Sequence, residues 1–151
     1  MKLTITSLEW IIRNEDIKQI TVDTMSGQIT ILPGHDNLIS VLKPGIIKIV
    51  PSESQSDRKF SFLIDKEFVA FGVLGWVCKI EWNEVQILTN MVLLDNVNPI
   101  ELLQEMKQTL LQKVHNWSWS DNWSIESNYD LELQIQKIDV EMKLAMRKRK
   151  D

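Results

Sequence analysis

Two Pro-Gly pairs, Pro33-Gly34 and Pro44-Gly45, bracket an aliphatic run and constrain this chain more than any other feature. Proline holds φ near about −65° and glycine accepts φ > 0, so each pair suits a type II turn. The flanking residues are β-branched or aliphatic: Ile29-Thr30-Ile31-Leu32 before the first pair, Leu38 to Leu42 between the pairs, and Ile46 to Val50 after the second. The pattern predicts strand, turn, strand, turn, strand, with Pro33, Gly34, Pro44 and Gly45 setting the corners.

Short strands are predicted on both sides of this stretch. Leu3 and Ile5 alternate with Thr4 and Thr6, Trp10 to Arg13 reads as a short strand, and Asn14-Glu15-Asp16 as a polar turn. Ile20 and Val22 then share one face of a half-buried strand. Ser52 to Asp57 is a polar loop, followed by the alternating Phe60, Phe62 and Ile64. From Phe68 to Val77 the chain is almost wholly apolar, which predicts a strand buried on both faces or a turn inside a core. Asn83-Glu84 breaks Lys79–Trp82 from Val85–Leu88 and suits a hairpin. Roughly nine or ten short strands in about 90 residues argue for an antiparallel β-sandwich or flattened barrel.

The character changes after residue 95. Asn98 suits an N-cap, Pro99 the first helical position and Glu101 the acid of a capping box. Leu103, Met106, Leu110 and Val114 form one apolar stripe. A second helix is predicted from Ser127 or Asn128, with Leu131, Ile135, Ile138, Met142 and Ala145 in a seven-residue seam widened by Leu133, Val140 and Leu144. The fold expected is mainly β with an α appendage: a sandwich domain over 1–95 and a two-helix antiparallel hairpin over 96–151. The helical stripes are too narrow for a core of their own, so the hairpin packs on itself, on the sandwich or on a partner.

Composition removes several function classes. The 151 residues are 44% hydrophobic and 25% charged, a balance of globular proteins rather than disordered ones. A net charge of −4 argues against nucleic acid as the main partner. The single cysteine, Cys78, sits among Trp76, Val77 and Ile80 and reads as a buried, inert thiol. His35 and His115 fall in different domains, no metal-ligand spacing appears, and there is no phosphate-binding loop. The expectation is a protein that is not an enzyme and holds no cofactor or metal. No run reaches the roughly 18 apolar residues that span a bilayer. Met1 to Thr6 enters a strand at once with no leader, as expected of a protein made where it works, in a bacterial cytoplasm or an organelle.

Gly27, Ile29, Ile31, Leu32, Pro33, Gly34, His35, Leu38, Leu42, Pro44 and Gly45 stand where the signature of a known family has the same or similar residues. That signature, roughly G-x-L-G-I-L-P-G-H-x-P-L-x-x-x-L-x-P-G, belongs to the epsilon subunit of rotary F-type ATP synthases, called delta in mitochondria, which this chain resembles. The resemblance implies an N-terminal β-sandwich with a C-terminal helical hairpin, and a non-catalytic central-stalk subunit that couples proton-driven rotation to the catalytic head. Its implied partners are the gamma subunit, the membrane ring of c subunits and, through the last helix, the catalytic beta subunit. Its implied place is a peripheral complex on the cytoplasmic face of a bacterial membrane or the equivalent organelle face.

The resemblance sets Gln28, Ile29, Thr30, His35 and Asp36 against the membrane ring. Gln28 and Thr30 stand where many relatives have Glu and Gly, which replaces a charged contact by a hydrogen-bonded one; a histidine that merely satisfies turn carbonyls is the other reading of His35. Lys143, Arg147, Lys148, Arg149 and Lys150 make the last turns basic, either as favourable charge at a helix C-terminus or, by resemblance, as an inhibitory helix that meets an acidic loop of the beta subunit. The start of the first helix, Pro99 to Gln104, lacks the arginines with which some relatives bind ATP, so none is expected to bind. Trp117, Trp119 and Trp123 are either a cap over the hairpin's open end or a partner patch. Two readings outside the family remain: a carbohydrate- or peptide-binding sandwich with Trp82 or the 117–123 cluster as platforms, and a helical-hairpin scaffold.

Overall fold

Three strands of 14 residues each carry the fold: β2 (Ile11–Thr24), β4 (Leu38–Pro51) and β6 (Phe68–Glu81). The computed structural model describes residues 1–7, 11–52, 63–65, 68–93, 98–117 and 125–148. The shorter strands are β1 (Lys2–Thr6), β3 (Gly27–Ile31), β5 (Leu63–Asp65), β7 (Glu84–Leu88) and β8 (Val92–Leu93). Two helices follow, α1 (Ile100–Trp117) and α2 (Ile125–Lys148).

The sheet runs β1-β7-β6-β4-β2-β3, and β1 also pairs with β2, so five strands close on themselves as a flattened barrel. Closure leaves the ladder groups of those strands paired on both sides. Every pairing is antiparallel except β1 with β7, which is parallel. The core between the walls holds Leu3, Ile5, Ile20, Val22, Ile31, Ile47, Ile49, Phe71, Ile80 and Ile87, all nearly inaccessible.

Fourteen extended residues span roughly 45 Å, too long to stay flat around so small a core. Each long strand therefore bends, and each bend inverts which alternate residues face inward. β2 buries Ile17 and then Ile20 and Val22, with its register slipping between Ile17 and Gln19. β4 buries Leu42 and then Ile47 and Ile49; β6 buries Val69, Phe71 and Val73 and then Cys78 and Ile80. One inserted residue is enough to flip a strand's parity.

This corrects the reading of Pro44-Gly45 as a turn. The chain does not reverse there: Pro44 pairs with Leu74 and Gly45 with Val73 inside β4. Between Thr21↔Lys48 and Thr24↔Leu42, residues 43–47 of β4 bulge past residues 22 and 23 of β2. Proline has no N–H to give, and it falls where β4 leaves the β2 ladder. Gly45 lets Asp23 pack close, since a Cβ would lie 2.7 Å from Asp23 Oδ2 and 3.3 Å from Asp23 Cβ. Asn14-Glu15-Asp16 is likewise not a turn; the three residues pair with Thr4, Leu3 and Lys2 of β1. With two predicted breaks gone, eight strands lie among the described residues instead of about ten. Phe60, Phe62 and the loop residues 53–57 lie outside the described residues. The hairpin expected at Asn83-Glu84 sits one residue earlier, at Trp82-Asn83 with φ of 51° and 72°, between the paired Glu81 and Glu84. Two successive residues with φ > 0 make this a type I′ turn.

The apolar run in β6 is explained by burial on both faces. One face fills the barrel; the other, with Ala70 and Leu74, joins Ile46 of β4 against Val140 and Leu144 of α2, flanked by Leu93 and Leu133. Gly72 permits that approach, since a Cβ there would lie 2.3 Å from Val140 Cγ1. The residues that widened the predicted seam of α2 are thus the ones that meet the sheet. α1 packs on α2: Leu103 is fully buried and Lys107 donates to Asp139 Oδ1 across the hairpin at 2.5 Å. Met106, placed on the predicted stripe, is exposed, because α1 offers only a narrow seam to its partner. The Leu103 amide donates to the Pro99 carbonyl at 3.1 Å and starts the helix where the cap pattern put it.

Gly72→Val is expected to push α2 off the sheet while leaving the barrel intact, at a cost of about 1–3 kcal/mol. Hydrogen exchange checks this: α2 amides lose protection, and those of β1, β2 and β7 keep it.

Candidate functional site

The outward residues of an antiparallel wall are ordinarily polar. Here the front half of β4 and its neighbours present aliphatic side chains instead. Ile39 is 70% and Val41 55% exposed, and Met25, Val77 and Leu88 are exposed beside them. Register sets four of these side by side: Val41 opposite Val77, Val77 opposite Leu88, and Met25 donating its amide to the Val41 carbonyl at 2.9 Å. At the margin, Lys79, opposite Ile39, is ion-paired with Glu81, so the two charges cancel. Trp76, next to Val77 in the chain but paired with buried Leu42, is 40% exposed with φ of 110°. Contiguous exposed aliphatic patches are a recurrent feature of interaction sites.

The residues assigned to the membrane ring divide between the two ends of β3. Gln28, at its start, is exposed and donates to Asp23 Oδ1 at 2.9 Å. Ile29 is partly buried against the barrel core, and the hydroxyls of exposed Thr30 and buried Thr21 share a hydrogen bond of 3.1 Å. Past the other end, the His35 amide donates to the Leu32 carbonyl at 3.1 Å and Gly34 has φ of 83°, which closes a type II turn at Pro33-Gly34. The His35 ring donates from Nδ1 to the Asp36 carbonyl at 2.7 Å, so it satisfies a turn carbonyl; Asp36 itself is exposed. Asn37 Oδ1 accepts from the Trp82 amide at 3.2 Å and ties this loop to the β6–β7 hairpin. Trp82 is 84% exposed at that tip. Sequence reasoning missed the aliphatic row, although Ile39, Val41 and Val77 sit at alternate positions that a parity count from Leu42 and Cys78 would have marked as outward.

Lys143 is exposed on α2, and Arg147 and Lys148 lie in its last turn; Arg149 and Lys150 are outside the described residues. Trp117 ends α1, while Trp119 and Trp123 also fall outside them. Between the helices lies a groove of about 570 Å³ lined by Leu102, Glu105, Met106, Gln134, Ile138 and Glu141 among others. Among the described residues no group of three or more His, Cys, Asp or Glu is placed to hold a metal. Burial pushes the Cys78 thiol up to about 12, so it stays protonated and unreactive at neutral pH.

Residues 1–94 match the family described as the ATP synthase delta/epsilon chain, β-sandwich domain. The chain belongs to this ATP synthase delta/epsilon family. The chloroplastic ATP synthase epsilon chain of Chara vulgaris is 31% identical over 116 residues, 74% of this chain and 77% of that one. The ATP synthase epsilon chain of Synechococcus elongatus is 33% identical over 73 residues, 48% of this chain, so the matched stretch spans only 44% of that relative's length. Among solved structures, a chain in the Euglena gracilis mitochondrial ATP synthase (OSCP/F1/c-ring in rotational state 1) superposes with a TM-score of 0.66 at 18% identity. The superposition covers 95% of this chain and 79% of that one, so the shared fold extends beyond the barrel into the helices. These matches leave the carbohydrate- or peptide-binding reading without support, despite the exposure of Trp82.

The native state holds the Cys78 proton more tightly than the unfolded chain does. Stability is therefore unaffected by this thiol below pH 9.0 and falls as pH rises from there towards 12, by up to about 1.4 kcal/mol per pH unit. Urea unfolding at pH 8 and pH 10 is expected to show a shallower loss for Cys78→Ala than for the unaltered chain.

Proposed function

We propose that the chain is a non-catalytic rotor subunit of the central stalk of a proton-translocating F-type ATP synthase. The barrel, residues 1–95, docks on the gamma subunit and rests on the membrane ring; the hairpin, residues 96–151, is regulatory. The observation that carries this reading is the open aliphatic row of Met25, Val41, Val77 and Leu88 on a member of the delta/epsilon family. A subunit that transmits torque needs a broad, stiff contact, and a closed sheet deforms less than a loop. The ring side of the barrel is formed by Gln28, Ile29, Thr30, His35 and Asp36, with hydrogen bonds in place of ion pairs. Among the described residues no helix is long and apolar enough to cross a membrane, in keeping with a peripheral subunit of a membrane complex; in a bacterium it faces the cytoplasm.

The hairpin is a movable brake. Burial of Val140 and Leu144 holds α2 to the sheet, and each contributes roughly 1.5–3 kcal/mol before the cost of ordering is subtracted. A docked state favoured by only a few kcal/mol can exchange with an extended one. Once extended, Lys143, Arg147, Lys148, Arg149 and Lys150 would meet an acidic surface of the catalytic beta subunit and oppose rotation in the hydrolysis direction.

Mixed with purified gamma subunit, the chain is expected to form a complex at micromolar concentration, and Val41→Asp to weaken it by about 100-fold; absence of any complex with the unaltered chain sinks the reading. Ending the chain after Asn128 uncovers Ile46, Ala70 and Leu74 but spares the barrel core, so gamma binding persists. ATPase activity of the assembled enzyme then rises. An unchanged rate removes the brake.

A further inference from the structure

We propose that a second copy of this chain covers the groove between α1 and α2, the two hairpins meeting face to face about a two-fold axis. Ile138 is the buried floor of the groove, and Leu102 and Met106 stand on its α1 wall, 43% and 44% exposed. Leu110 follows them one turn further along the same wall. These are not the residues that seat the hairpin, since α2 meets the sheet through Val140 and Leu144. Large aliphatic side chains spaced by one turn on an open helix wall are the apolar half of a helix–helix contact.

The polar residues of the walls select what fits. Lys137 and Glu141 lie one turn apart on α2, and Glu105 and Thr109 one turn apart on α1. The Lys107–Asp139 ion pair fixes the stagger of the antiparallel helices, so Glu105 is level with Glu141 and Thr109 with Lys137. A two-fold axis that crosses both helices at the Lys107–Asp139 level exchanges those two levels. It lays α1 antiparallel on α1 of the second copy and α2 on α2. Each Lys137 then faces Glu141 of the second copy, and each Thr109 hydroxyl faces a Glu105 carboxylate. The same operation drops each Leu110 between Leu102 and Met106 of the other hairpin. An axis parallel to the helices would instead set Glu105 against Glu141, two acids at one level. Two-fold pairing demands a surface that complements itself, and this groove does so in charge and in apolar relief. Charges flanking an apolar helix seam fix orientation in coiled coils by the same means. The gamma-docking surface lies on the barrel, so the two readings stand or fall separately.

Sedimentation of the full chain tests the pairing. The unaltered protein is expected to pass from one chain to two as its concentration rises through the micromolar range. Lys137→Glu and Glu141→Lys are each expected to weaken that association at least tenfold, because each sets like charges together twice. Mixing the two variants is expected to restore it, since opposite charges then meet at both positions. A chain that stays single up to millimolar concentration overturns the proposal, and so does association that survives both reversals or that the mixture fails to restore. Association lost in Val41→Asp and kept in both hairpin variants assigns the contact to the aliphatic row and likewise overturns it. Cross-linking gives a reading independent of the reversals. Met106→Cys, close to the axis, is expected to be joined into a covalent dimer by a short bismaleimide, while the native Cys78 is buried; a Met106→Cys chain that remains single overturns the pairing.

Discussion

β1 hydrogen-bonds to β2 on one side and to β7 on the other, and this double pairing turns a sheet into a closed wall. Once the wall is closed, β2, β4 and β6 are longer than the core they surround and have to bend. The bends fall where the residues permit them: at Pro44-Gly45, where one residue lacks a donor and the next lacks a Cβ, and at Gly75-Trp76, where φ turns positive. Because each bend inverts alternation, it also decides which side chains the outer surface receives. The aliphatic row is a consequence of the closure geometry combined with residues that did not become polar when they turned outward.

β6 is the element shared by everything else. One face lies in the barrel core, the other accepts α2 through Gly72, and its far half borders the open row. A rigid strand common to the core, the hairpin seat and the open aliphatic row gives the molecule one stiff frame. The hairpin is bound to that frame by a small cluster, Ile46, Ala70, Leu74, Val140 and Leu144, far smaller than the barrel core. The difference in size means that the barrel core does not depend on the hairpin's contacts.

The polar features of the surface are modest by comparison. Gln28 is held by Asp23, Thr30 by Thr21 and His35 by its own turn, so these side chains already spend hydrogen bonds locally. Binding by such a surface depends mainly on shape and apolar area, with little long-range steering.

Much of this was legible in the residues. The alternation of Leu3 with Ile5 and of Ile20 with Val22, the type II turn at Pro33-Gly34, the cap at Asn98-Pro99 and the two helical stripes follow from local chemistry, which needs only near neighbours to act. The family was equally legible, because its signature is a run of turn and strand residues whose spacing cannot easily arise otherwise. What the tertiary structure alone decided depends on partners distant in the chain. Pro44-Gly45 has the local chemistry of a turn, but the ladder to β6 runs through it and holds the chain on course while it bulges past β2. Asn14-Glu15-Asp16 looks like a loop until β1 pairs with it. Val41, Val77 and Leu88 have the composition of core residues, and only strand register, set by long-range pairing and by bends that flip parity, turned them outward.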